Sequence, residues 1–267
     1  MRVVGLHEDV IVCTSAFWQT TCTVVRGARD AGVDEDPELA LAHEAFVIDS
    51  PVLPDELEAL PSMLAQVGWP CTGLLATHGD WDHLLGRLAF PGAALGVAET
   101  TAARLTGSPG EAARDLRAFD DEHYCERPSP LQLGQFQALP VPGKVDIGGQ
   151  EVELHPTEGH TADGMAVWVP WARVLVSGDY LCPIEIPVLS PGGSVSAYVA
   201  TLERLRVLVE QADHVVPGHG AAMDSERALA ILREDLRYLE TWELPLARRS
   251  GEQRRIHAEN LERAGVA

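Results

Sequence analysis

The chain has 267 residues, 46% of them apolar and 22% charged, which describes an ordinary globular protein with material for a substantial core. No run approaches the ~20 uninterrupted apolar residues of a membrane helix. Twenty basic residues stand against 40 acidic ones, a net charge of −20. Such a field repels phosphate backbones and anionic lipid surfaces, so neither nucleic acid nor membrane is the expected partner.

The N-terminal run Met1–Asp9 meets charge almost at once and does not read as a secretory signal; a cytoplasmic location is expected. Val10–Thr14 and Thr20–Val25 are rich in β-branched residues and predict a hairpin with Phe17-Trp18 near its turn. Gly27–Glu38 reads as a polar loop, and Glu44–Asp49 as a strand closed by Ser50-Pro51. Leu57, Leu60, Leu64 and Val67 recur at helical spacing, with Gly68 as the stop and Pro61 as a kink or restart. Thr72–Thr77 is a short apolar strand that runs directly into His78, and Ala93–Ala98 is another strand. Helices are expected over Glu99–Leu105 and Glu111–Phe119.

From Asp120 to Pro142 four prolines interrupt any period, and a long connecting loop is expected. Strand patterns return at Glu151–His155, Met165–Val169 and Arg173–Ser177. Val195–Gln211 has helical periodicity, His214–Val216 is a short strand, and 225–260 is charged and helical with a break at Pro245. Strands in two runs with intervening helices indicate an α/β layered architecture. The five cysteines (Cys13, Cys22, Cys71, Cys125, Cys182) lack the close spacing of a zinc knuckle or redox pair and read as free, mostly buried thiols.

Four ligand-type side chains, His78, Asp80, Asp82 and His83, fall within six residues immediately after a buried strand. A strand end is a rigid place from which to aim such groups. Glu158-Gly159-His160-Thr161, Ser177-Gly178-Asp179 and Pro217-Gly218-His219-Gly220 each follow a further strand. Gly-His and Gly-Asp dipeptides ordinarily mark turns, so each is weak alone. Four strand-end sites together suit two adjacent metal ions.

The series Asp49, His78 to His83, His160, Asp179, His219 resembles the motif order of the metallo-β-lactamase-fold hydrolase superfamily, over nearly the whole chain. The resemblance implies a single α/β domain spanning 1–267, a four-layer αββα sandwich of two mixed β-sheets with metals at one edge. His78 and His160, with Asp80, would hold one metal; Asp82, His83 and His219 would hold the other; Asp179 would bridge them. Two divalent ions are implied, zinc first, with manganese or iron as alternatives. Asp82 is the expected catalytic residue, orienting a metal-bound hydroxide and shuttling its proton. Asp49 is expected to support the site through hydrogen bonds.

Asp80 departs from the family, which usually has histidine there. Either it donates an anionic oxygen to the metal, or it holds His78 or His160 in the binding tautomer. As a ligand it would make the centre nearly neutral and favour harder ions. Asp163, where many relatives have a small residue, is a second departure. His7, His43, His123, His155, His214 and His257 read as surface or structural histidines, and Trp81 as a wall of the site or simple packing. The expected function is hydrolysis of a small ester, thioester or lactone. The alternatives are a mononuclear iron site like that of the superfamily's sulfur dioxygenases, a phosphodiesterase, and a non-catalytic metal-binding member.

Overall fold

The computed structural model describes residues 1–27 and 44–266. The expected loop beyond Gly27 and the histidine His43 lie outside the described residues. One sheet takes its strands in chain order: β1 (Arg2–His7), β2 (Val10–Thr14), β3 (Thr21–Gly27), β4 (Glu44–Asp49), β5 (Cys71–Ala76), β6 (Ala94–Ala98) and β7 (Gln137–Leu139). It is antiparallel up to β4 and parallel from there on. The second sheet contains β8 (Gly143–Ile147), β9 (Gln150–Pro156), β10 (Met165–Val169), β11 (Val174–Gly178) and β12 (His214–Pro217). Only its β11–β12 pair is parallel. Helices α1 (Pro54–Gln66), α2 (Gly86–Ala89), α3 (Glu99–Gly107) and α4 (Glu111–His123) precede the second sheet in the chain. Helices α5 (Val195–Val209), α6 (Ser225–Thr241) and α7 (Gly251–Ala264) follow.

The central strands read as continuous apolar runs because both of their faces are covered. Alternation sorts the side chains. Val47 and Leu74 pack with Leu57, Leu60 and Leu64 of α1, whereas the adjacent Ile48 and Leu75 pack with Leu154, Val167 and Val176 between the sheets. On the far side Ala166, Leu175 and Val215 pack with Leu202, Leu205, Ile231 and Leu232. Helix, sheet, sheet, helix is the αββα order.

Several sequence expectations change. α1 runs unbroken through Pro61, and Val67 lies just beyond it at the C-cap, 47% exposed, rather than on the buried face. The long 120–142 segment is not wholly irregular: α4 extends to His123, and Gln137–Leu139 forms an edge strand. β1, β7 and β8 had no clear sequence signal, because mostly exposed edge strands carry little buried apolar pattern.

The architecture converges on one edge. β4 and β5 are parallel, as are β11 and β12, and β9 shares the direction of β11 through two antiparallel steps. The chain therefore leaves β5, β9, β11 and β12 toward His78, His160, Asp179 and His219 respectively. Backbone bonds tie the two sheets together here, with Met165 N–H donating to Thr77 O (2.7 Å) and Thr21 N–H to Gly218 O (2.8 Å).

Candidate metal centre

All seven predicted ligand-type residues meet at this edge. His78, His83, His160 and His219 are buried at 2–5% exposure, as is Asp82 at 7%. His78, His160 and Asp179 form one triad of donor atoms, and Asp82, His83 and His219 form a second, each with its atoms within 4.8 Å of one another. Asp179 lies between them. Its Oδ2 is 3.7 Å from His78 Nε2, 3.3 Å from His160 Nε2 and 3.4 Å from His219 Nε2, while Oδ1 is 3.2 Å from His83 Nε2. Asp82 Oδ2 is 3.5 Å from Nε2 of both His83 and His219.

Three of the four imidazoles have Nδ1 within hydrogen-bonding reach of an oxygen, which leaves Nε2 turned inward. Val188 O is 2.8 Å from His160 Nδ1, Trp18 O is 3.2 Å from His219 Nδ1, and Thr77 Oγ1 is 3.1 Å from His78 Nδ1. Asp49 Oδ2 is 3.0 Å from His83 Nδ1. Asp49 also accepts hydrogen bonds from Thr77 N–H (2.8 Å, at Oδ1) and Thr77 Oγ1 (2.9 Å, at Oδ2). Placing the proton on Nδ1 leaves the Nε2 lone pair free, which is how outer partners prepare histidine for a metal.

These residues fit divalent ions. Buried His78 Nε2, His83 Nε2 and Asp179 Oδ1 have no hydrogen-bond partner among the described residues, a costly state unless something else binds them. Without metal the pocket draws protons instead. Burial disfavours charge on His160, but the Asp80 hydrogen bond and the Asp179 charge outweigh it and push its pKa up to about 9. Burial is likewise overcome at His219, where Asp179 and Glu185 raise the pKa to about 10. Burial also opposes ionisation of Asp179, yet the surrounding imidazoles hold it well below the usual carboxylate range. Imidazole and carboxylate together suit zinc, manganese or iron.

Asp80 sits at the first triad, with Oδ2 3.3 Å from His160 Nε2 and 3.5 Å from His78 Nε2. Asp163, the other departure, accepts the Gly79 N–H (2.9 Å) and so closes the turn that carries His78 and Asp80. Trp81 packs against Trp18 and Phe119, at centroid distances of 5.7 and 4.8 Å, forming an aromatic wall beside the site. His123 packs edge-on against Phe17 and tilted against Phe119, His257 Nδ1 is 3.1 Å from the Tyr238 hydroxyl, and His155 lies beside Glu153.

Sequence reasoning missed several neighbours that no local motif marks. Tyr180 Oη accepts the His160 N–H (2.9 Å), and Tyr198 Oη donates to Asp179 O (3.0 Å). Glu185 faces the site, and burial, with Asp179 and Asp82 adding to it, pushes its carboxyl upward. Arg104 of α3 bonds both Asp80 and Asp163.

Two mixed sheets, helices on their outer faces and histidines and aspartates at a shared edge define the αββα metallo-hydrolase scaffold. The chain belongs to the metallo-β-lactamase superfamily, whose family profile matches residues 30–219. It is 26% identical to an acyl-coenzyme A thioesterase of Bos taurus over 170 residues, 59% of this chain and 60% of the relative. It is 27% identical to a hydroxyacylglutathione hydrolase of Jannaschia sp. over 156 residues, 58% of this chain and 51% of the relative. The chain thus spans between half and two thirds of the length of these curated relatives. Among solved structures, a metallo-beta-lactamase family protein from Thermus thermophilus superposes with a TM-score of 0.63 at 20% identity, covering 88% of this chain and 82% of that one. A metallo-beta-lactamase from Pontibacter korlensis gives 0.60 at 19%, covering 90% and 99%. At these identities the two structures establish the fold.

Proposed function

We propose that this protein is a metal-dependent hydrolase of small carbonyl substrates, and that among esters, thioesters and lactones it prefers thioesters. The observation that carries the reading is the pair of buried donor triads joined through Asp179, with inward Nε2 atoms and no protein partner for several of them. The thioester preference draws on the two relatives named for hydrolysing acyl-coenzyme A and hydroxyacylglutathione.

His78, His160 and Asp80 would hold one divalent ion, Asp82, His83 and His219 a second, and Asp179 would touch both. When bound, such ions lower the pKa of water and polarise a carbonyl oxygen. The Asp82 carboxylate then orients the attacking water, takes its proton and returns it to the leaving thiol as the carbon–sulfur bond breaks. Trp81 and the partly exposed Trp18 offer an apolar face for the acyl group beside this point. The three carboxylates nearly offset two divalent ions, so the centre favours neutral carbonyls over dianionic phosphates.

The test begins with metal content and stoichiometry of the purified protein, followed by turnover of matched thioesters, esters, lactones and phosphodiesters. Thioester cleavage that needs added zinc, manganese or iron and falls at least ~100-fold in Asp82→Ala is expected. One iron per chain with oxygen consumption and no hydrolysis would overturn the proposal.

A further inference from the structure

Asp80 does not stand alone at the first triad. Its Oδ2 faces His160 Nε2 and His78 Nε2 at 3.3 and 3.5 Å, and the same two nitrogens lie 3.3 and 3.7 Å from Asp179 Oδ2. Four donors around one ion at ~2.1 Å are separated by roughly 3.4 Å in a tetrahedron, and Asp80 Oδ2 keeps that spacing from both imidazole nitrogens, although it stands outside the 4.8 Å group that they form with Asp179. Its other oxygen is occupied: Arg104 Nη2 donates to Asp80 Oδ1 at 2.7 Å. The same guanidinium extends Nη1 to Asp163 Oδ1 at 3.0 Å, while Asp163 Oδ2 takes the Gly79 N–H at 2.9 Å. Gly79 is closely packed, since a Cβ there would lie 3.2 Å from Asp163 Oδ2 and 3.3 Å from Arg104 Cδ. The guanidinium therefore spans two carboxylates, one beside the donors and one clamped to the backbone that carries them.

We propose that Arg104 is a positioning residue for the metal centre, fixing Asp80 as a donor through one oxygen and balancing the charge that replaces a neutral imidazole. It rests on the metal-centre reading above. A planar fork holds both carboxylates at once, and an ammonium group of the same charge cannot reproduce that geometry. With Arg104 in place the Asp80–Arg104–Asp163 group carries a single net negative charge. Without the fork, Asp80 is free to turn away or to present both oxygens.

Arg104→Lys separates geometry from charge, because the positive charge is retained. Chelator competition should show one ion bound about 10-fold more weakly in Arg104→Lys, within the ~10–100-fold range for partners that orient metal ligands. The cobalt-substituted protein should change its visible spectrum. In an Asp80→His background, the Arg104→Lys change should have no effect on either measurement. Melting curves of the metal-free proteins identify any variant that simply fails to fold, and Arg104→Gln, which lacks the charge, supplies a second soluble comparison. Unchanged affinity and an unchanged cobalt spectrum in folded Arg104→Lys would overturn the proposal, as would an equal loss in the Asp80→His background. A wild-type protein that binds no metal would instead refute the metal-centre reading itself.

Discussion

Gly218 precedes His219 and lies against the Asp179 carboxylate, and a Cβ at that position would overlap Asp179 Oδ1. Relief must come from the carboxylate that lies between the two triads or from the β12 end that leads into His219. Gly218→Ala is therefore expected to lower metal affinity at least ~10-fold, as loss of an orienting contact does, while the circular dichroism spectrum stays native; unchanged metal titration would contradict it. Asp49→Asn should act more mildly on the same readout, since an amide keeps the shape but offers one acceptor where Thr77 uses both oxygens, and it removes the carboxylate charge beside His83 Nδ1. The residues legible in the sequence were those packed into one short stretch or placed beside a glycine at a strand end. Arg104, Tyr180, Tyr198 and Glu185 carried no such mark. Their importance arises only when α3, α5 and the 180–190 segment are brought against the strand ends.

Two elements act on the site without contributing donors to it. Glu56 of α1 accepts from Ser15 Oγ (2.6 Å), Ala16 N–H (2.8 Å) and Leu53 N–H (3.3 Å), joining the helix start to the β2–β3 turn. That turn holds Trp18 and Gln19 at φ 51° and 52° and presents Trp18 O to His219. Burial raises the Glu56 pKa, but these hydrogen bonds outweigh it and hold the carboxyl below its ordinary value. A carboxylate depressed on folding adds stability that is present above its unfolded pKa of ~4.3 and lost as pH falls through the folded value. Glu56→Gln should thus cost about 1–3 kcal/mol near pH 7, and urea melts of the two proteins should converge as pH drops below ~4. A gap that is constant with pH would rule this out. At the other end, α7 grips the segment that supplies Val188 O to His160. Gln253 Oε1 accepts from Ile186 N–H (2.7 Å), and Asn260 accepts from Leu189 N–H (2.9 Å) and donates to Pro187 O (2.6 Å). Asn260→Leu strands two buried backbone groups, so a loss of about 2–5 kcal/mol is expected in chemical unfolding. Sequence periodicity showed that the C-terminal residues are helical; it could not show which loop they hold.

At the scale of the whole molecule, the donors are divided between the sheets. His78, Asp80, Asp82 and His83 follow β5 of the first sheet, whereas His160, Asp179 and His219 follow β9, β11 and β12 of the second. The central strands were readable because burial on both faces leaves unbroken apolar runs, as in Met165–Val169. Edge strands such as Gly143–Ile147 were not, because backbone pairing rather than composition defines them. Metal bound at this edge would cross-link two layers that otherwise share an apolar interface and a few backbone bonds. A ligand that binds only the folded state stabilises it by RT ln(1 + [L]/Kd), about 4 kcal/mol at a thousandfold excess over Kd. Chelation should therefore lower the midpoint of thermal unfolding, and titrating metal back should raise it with the logarithm of free metal. Asp179→Ala, which removes the carboxylate common to both triads, should abolish that dependence and also lower the metal-free midpoint, because the buried imidazoles lose the counter-charge that holds Asp179 ionised among them. Midpoints that ignore metal in the wild-type chain would mean that the two sheets are held together without it.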